Sequence, residues 1–391
     1  MRRALIGQVI TWLLAAITFF LSLWVVLPGP NLRLLPLAVG APEISPLLLL
    51  ASLSALVMTV WQFHRPPRLL LVILIATLTL SSLPLIQLPA AVARAEASMA
   101  QAFPISGSAS KEAATSPPFS GSVFLRGFPK SVVRVQTGIL FASPTNNPLF
   151  LDLYQPLTPG RYPAVITIYG GGWAGGSPGE SAALSRFLAE RGYVVAAIDY
   201  RHAPEYRFPT QLEDVQTALS FVSDHAEEYE IERDRLGLVG WSAGAHLALL
   251  AGFRSDPSVQ SIVDYYGPVD LAAGYSDPPV PDPIDVQQVL AAFMGGTPTE
   301  LPKAYAQASP ITFAESAEAN NLPPALLLYG GRDHIVEVRF GRQLYDALIK
   351  HGNAAVWVKI PWAEHAFDKV FNGVSNQLAL HFVERFLHLT L

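Results

Sequence analysis

The chain has 391 residues, more than one ordinary domain, and its 51% hydrophobic content with only 15% charged residues is too apolar for a purely soluble protein of that length. Net charge is −5, and up to Ala90 the basic residues are Arg2, Arg3, Arg33, Arg65 and Arg68 against the one acid Glu43. The rest is therefore acidic, with no basic run to meet a phosphate backbone, and no nucleic-acid partner is expected. The absence of cysteine excludes disulfides, thiolate nucleophiles and cysteine-ligated metals, and selects no compartment.

Ala4 to Leu27 is an uncharged apolar run of 24 residues, enough at about 1.5 Å per residue to exceed a hydrocarbon core of about 30 Å. Ile44 to Phe63 and Leu69 to Leu88 are two further uncharged runs of 20 residues, separated by His64, Arg65, Pro66, Pro67 and Arg68. A cleaved signal peptide followed by a buried core hairpin is the competing reading, but its apolar region would be only about 7–15 residues long. Residues 1–90 are thus expected to be an anchor of three transmembrane helices. Ala90 to Ala93 resembles a signal-peptidase site, yet lies behind two other spans. Arg2, Arg3, Arg65 and Arg68 flank the segments that positive charge holds on the cytoplasmic side, which places everything after the third span on the non-cytoplasmic side of a multi-pass membrane protein. Residues 91–130, rich in Ser, Ala, Gly and Pro, read as a flexible linker.

From residue 131 onward, short β-branched or aromatic runs alternate with amphipathic segments, as expected of an α/β domain with a mostly parallel sheet. Eight strands are predicted, at 132–141, 149–154, 164–169, 193–199, 236–240, 261–265, 325–329 and 355–360. Helices are predicted at 181–190, 211–228, 243–252, 336–351 and 377–389. Residues 278–308 interrupt the alternation between the sixth and seventh strands, as an insertion that caps a site would.

Gly240, Trp241, Ser242, Ala243 and Gly244 spell G-x-S-x-G between an apolar strand and an Ala/Leu-rich helix. A sharp strand-to-helix turn needs both glycines for clearance and lifts a serine hydroxyl to the sheet's tip, so Ser242 is the candidate nucleophile. Tyr169 to Trp173 carries three glycines after a strand, and the N–H groups of Gly171 and Gly172, with that of Ala243, can converge on one anionic oxygen. Gly170, Gly172 and Gly175 also spell a dinucleotide fingerprint with Asp199 at a plausible distance, but Pro178 keeps the third glycine from opening a helix.

Of nine histidines, His365 stands on a loop just after the last strand and is the candidate base, with His334 its competitor. Asp333 follows a strand and two glycines at the sheet's carboxyl edge and would orient that base. It could instead cap the helix that follows, leaving Asp270 or Glu337 as the acid. Trp173 and Trp241 flank the site as possible walls of a substrate pocket.

Taken together, these residues resemble α/β-hydrolase esterases of the hormone-sensitive-lipase and acetyl-esterase type, including bacterial feruloyl-esterase-like members. The resemblance runs from about Leu149 to the C-terminus and rests on Tyr169 to Trp173, similar to HGGGW, Asp199 to Glu205, similar to DYRLAPE, and Ser242 to Ala248, similar to SAGGHLA. Tyr169 departs from the family's histidine and Ala245 from its glycine. The resemblance implies an α/β-hydrolase fold, and cleavage of small carboxylic esters by a Ser242, His365 and Asp333 triad through an acyl-enzyme. It implies no metal or organic cofactor, and says nothing of oligomeric state. A serine peptidase or amidase of the same fold, or a non-catalytic interaction module, are the rival readings.

Overall fold

The computed structural model describes residues 2–104, 116–129, 132–254, 259–316, 319 and 321–391. Among these, the strands are β1 (Arg134–Ala142), β2 (Leu149–Gln155), β3 (Tyr162–Ile168), β4 (Val194–Ile198), β5 (Ile231–Trp241), β6 (Ser261–Tyr265), β7 (Ala325–Gly330) and β8 (Ala355–Ile360). They form one sheet in the order β1-β2-β4-β3-β5-β6-β7-β8. β2 runs antiparallel to both β1 and β4, and every other pairing is parallel.

β4, β6 and β7 are buried at every residue, which explains the apolar spelling of β4 and β7: a parallel strand covered on both faces has no polar side to alternate with. The covering helices are Ala182–Ala189, Thr210–Asp224, Ala243–Arg254, Val338–Lys350 and Val374–Thr390. Parallel pairing sends the carboxyl ends of β3, β5, β6, β7 and β8 to one edge of the sheet, where an open α/β sheet forms its ligand crevice. The predicted insertion is present between β6 and β7 as helices Leu271–Ser276, Val286–Met294, Pro302–Gln307 and Pro310–Ala314.

Three helices among the described residues are long and apolar enough to cross a membrane, within Leu5–Leu23, Ser45–Gln62 and Arg68–Ala102. They pack on one another through small and hydroxylated residues, including Ala15, Ala55 and a hydrogen bond of 2.8 Å between Ser22 and Ser81. Leu13, Ile17, Val57, Val72 and Ile75 face outward. A short helix not foreseen in the sequence, Leu35–Glu43, lies in the first connection.

The linker expected from residue 91 begins instead as the end of the third long helix, which continues to Ala102. The reason is local and tertiary together. Ala, Glu, Arg, Met and Gln, all good helix formers, fill residues 90–102 except for Val92 and Ser98. Ala91, Ala95 and Met99, at helical spacing, join the hydrophobic core of the sheet domain. This part of the helix lies along β8, and Ser98 Oγ accepts the Trp357 N–H at 2.8 Å. Residues 105–115 of the expected linker fall outside the described residues, whereas Ser120 N donates to Gln377 at 2.8 Å.

Candidate active site

β5 ends at Trp241 and helix Ala243–Arg254 begins at once, leaving Ser242 on the turn between them. Its φ of 51° is one that residues with a side chain seldom adopt. The turn closes because Gly240 and Gly244, two residues away on either side, have none. A Cβ on Gly240 would strike the Gly244 carbonyl, and one on Gly244 the carbonyls of Ile168 and Tyr169.

The Ser242 hydroxyl lies 3.1 Å from His365 Nε2, and His365 Nδ1 lies 2.7 Å from Asp333 Oδ2. Since a carboxylate only accepts, Nδ1 carries the proton and Nε2 is left to accept from the serine. Asp333 Oδ1 accepts from the amides of Ile335 and Val336 at 2.8 and 2.7 Å, so one carboxylate both orients the imidazole and caps the turn before helix Val338–Lys350. Asp333 and His365 are 5% and 6% exposed. Burial pulls the imidazole's pKa down, but the charge and hydrogen bond of Asp333 outweigh it, and the net shift is upward from 6.5. Burial likewise raises the carboxyl of Asp333, against the opposing pull of His365.

The competing groups are engaged elsewhere. His334 Nδ1 bonds Glu364 at 2.6 Å, Asp270 caps helix Leu271–Ser276 through the Ala273 amide, and Glu337 pairs with Arg339 at 2.6 Å. Asp199 takes hydrogen bonds from Tyr169 and Tyr200, and a 3-10 turn at Pro178–Ser181 stands between Gly175 and the next helix, unlike a dinucleotide fingerprint.

The triple-glycine loop adopts φ values of 121° at Gly171 and 60° at Gly172, and a Cβ on Gly171 would collide with the Gly175 carbonyl. Gly171, Gly172, Ser242, Ala243 and His365 line one cavity of about 470 Å³. The Ala243 amide is the first of its helix and has no acceptor within it. Tyr169, in place of the family histidine, braces the loop from behind. Its hydroxyl donates to Asp199 and lies 2.8 Å from His202 Nε2, and its ring stacks on Tyr200. The other departure is also accommodated, since the methyl of Ala245 sits where a side chain on Gly267 would be.

The family described as BD-FAE matches residues 151–348, just over half of the chain and including both Ser242 and Asp333. The chain belongs to the BD-FAE family. Among curated proteins it is 33% identical to the probable carboxylic ester hydrolase LipM of Mycobacterium tuberculosis over 58% of this chain and 54% of that protein. To the esterase LipC of the same organism it is 30% identical, over 58% of each. The chain thus spans little more than half the length of these relatives. A bacterial heroin esterase superposes with a TM-score of 0.58 at 22% identity, covering 66% of this chain and 84% of that one. The Est2 esterase of Thermogutta terrifontis gives a TM-score of 0.53 at 24% identity, covering 66% and 92%. These likenesses establish the α/β-hydrolase fold.

In this BD-FAE member both tryptophans line the cavity, in different surroundings. Trp173 is buried, stacked on Phe293 at 4.1 Å, and donates its indole N–H to His246 Nδ1 at 3.2 Å. His246 Nε2–H in turn donates to the Ala308 carbonyl at 2.6 Å, and burial holds this imidazole down to about 4, hence neutral. Trp241 lines the cavity with its ring against Tyr265.

Three contributors were not foreseen. Glu364 accepts from the backbone N–H of both His334 and His365, at 2.7 and 3.0 Å, joining the acid's loop to the base's loop. Its position beside His365 was the only available signal. Tyr266 packs its ring over His365 at 4.4 Å and donates to Asp368, a contact that no sequence spacing reveals. Leu32, from the connection after the first long helix, also lines the cavity.

Proposed function

We propose that this protein is a membrane-anchored serine carboxylesterase. The observation that carries the reading is the hydrogen-bonded chain Ser242, His365, Asp333, opening into a cavity shared with the glycine loop. The esterase names of its relatives agree with it.

In the proposed reaction, His365 Nε2 removes the Ser242 proton as Oγ adds to the ester carbonyl carbon. The amides of Gly171, Gly172 and Ala243 hold the resulting oxyanion. The tetrahedral species collapses with its proton passing from His365 to the departing alcohol, and an acyl-serine remains. Water, deprotonated by the same imidazole, adds to that acyl group and releases the acid and the free serine. Asp333 keeps Nδ1 protonated and stabilises the imidazolium without accepting its proton.

In the anchor reading, the helices within Leu5–Leu23, Ser45–Gln62 and Arg68–Ala102 span the bilayer, with the catalytic domain on the non-cytoplasmic side. Supporting this, the segment just after the first long helix and the one just before the second both bond to the α/β domain. Arg332 donates to the Val26 carbonyl, and Ser375 donates to Glu43. A three-span path needs both of those segments on the catalytic side, and the arginine placement agrees.

The test is hydrolysis of p-nitrophenyl acetate and butyrate by the full chain, against aminoacyl-nitroanilides, with Ser242→Ala as control. Ester turnover that depends on Ser242, and fluorophosphonate labelling at that residue, are expected. Turnover of the anilides alone would make the protein an amidase, and absence of labelling would make it a non-catalytic module.

A further inference from the structure

Leu32 belongs to the anchor half of the chain, nine residues beyond the end of the helix Arg2–Leu23, yet it forms part of the wall of the cavity that holds Ser242. It is 63% exposed while lining that cavity, which puts it at the rim. Its placement is not loose. Asn31 Oδ1 accepts from the Arg33 N–H at 3.0 Å, closing a local turn around Leu32, and the Arg332 guanidinium next to Asp333 holds the Val26 carbonyl. An apolar side chain is thus held open to solvent at the rim of the cavity that contains Ser242.

Another part of the rim has the same character. Val280, beside the lining residue Pro279 of the insertion, is 91% exposed. Deeper in, the insertion and the segment after Asp333 contribute Leu271, Ile284, Val289, Leu290, Ile335 and Phe340. A cavity of about 470 Å³ with this lining is far larger than an acetyl group needs, and falls within the roughly 300–1,000 Å³ of sites that enclose drug-sized ligands. Exposed apolar groups gathered at a pocket mouth mark a surface that meets something apolar. Here the chain supplies that something, because Trp24 to Leu35 leaves the first span directly and must lie near the level where its bilayer ends.

We infer that the cavity takes its substrate from the membrane: carboxylic esters with an extended apolar acyl chain, partitioned in the bilayer, enter past Leu32, which is a specificity-determining residue carried by the anchor. This rests on the esterase and anchor readings above.

The experiment uses the full chain reconstituted in phosphatidylcholine vesicles and compares kcat/KM for p-nitrophenyl decanoate carried in the same vesicles with that for p-nitrophenyl acetate supplied from solution. All rates are normalised to Ser242 labelled by fluorophosphonate, so loss of folded protein does not register. The native chain is expected to favour the decanoate. Leu32→Asp is expected to lower the decanoate-to-acetate ratio about tenfold, the scale of one buried leucine contact, while Leu32→Met keeps it. Val280→Asp, in the insertion beside Pro279, should move the ratio the same way. Preference for acetate by the native chain, or a ratio unmoved by Leu32→Asp, overturns the inference and leaves the esterase reading standing. Hydrolysis of neither ester removes both.

Discussion

Ser98 of the third long helix accepts the backbone N–H of Trp357 on β8 at 2.8 Å, so the last of the three apolar helices occupies the open edge of the sheet. With Ala91, Ala95 and Met99 it removes from water an edge that would otherwise pair with other chains. A fragment beginning at residue 131 is therefore expected to aggregate, and one beginning at residue 90 to remain monodisperse. Size-exclusion chromatography of the two decides it, and a monodisperse shorter fragment would show the edge needs no cover.

Glu43 sits at the start of helix Val374–Thr390, accepting the Ser375 N–H at 2.8 Å and the Ser375 hydroxyl, and burial pushes its carboxyl up to about 8. The folded chain therefore keeps a proton that the unfolded chain gives up above 4.5, and stability from this group falls as pH rises from 4.5 to about 8. Glu43→Gln resembles the protonated acid and lacks that slope. Thermal unfolding in detergent should find the variant gaining on the native chain between pH 5 and pH 9, and parallel Tm profiles would contradict the assignment.

Because Asp333 raises the His365 imidazole above 6.5 despite its burial, the neutral form that can act as base should populate only at higher pH than for a free histidine. The kcat/KM profile with a neutral ester is expected to rise with pH through a midpoint above 6.5. Asp333→Asn should move that midpoint down and lower kcat by about 10⁴. A native midpoint at or below 6.5 would argue against this coupling.

Gly171→Ala places a Cβ against the Gly175 carbonyl on a backbone with φ of 121°. If that loop supplies the oxyanion donors, kcat should fall about 10²–10³-fold with little change in Ser242 labelling stoichiometry. A variant of near-native kcat would take Gly171 out of that role.

Tyr169→Phe removes the donor to Asp199 and the partner of His202 behind the same loop. Leaving the carboxylate with the Tyr200 amide alone should cost about 1–3 kcal/mol of stability, measured by chemical denaturation, and slow the reaction less than Gly171→Ala does.

The sheet was legible because most of its strands carry β-branched or apolar runs bounded by turns, and all eight were found with ends displaced by a few residues. Ser242 and the glycine loop were legible for a steric reason: glycine at 240, 244 and 171 is demanded by backbone contacts close in sequence or on the next strand. Asp333 and His365 followed from their place after β7 and β8. What could not be read was contact between distant segments of no special composition. Tyr266 over His365 and Leu32 at the cavity are products of three-dimensional closure. The helical character of residues 91–102 was present in their composition, but the Ser, Ala and Gly of the stretch that follows drew the whole segment into a tether.

The 35 residues of helix Arg68–Ala102 form a single strut of about 52 Å, with one end among the apolar helices and the other clamped along β8. A domain mounted this way cannot wander on a leash. On the proposed anchor reading, its height above the lipid and the tilt of its opening follow from the strut, so a thicker or thinner bilayer would shift the α/β domain bodily and change how readily its mouth reaches the surface.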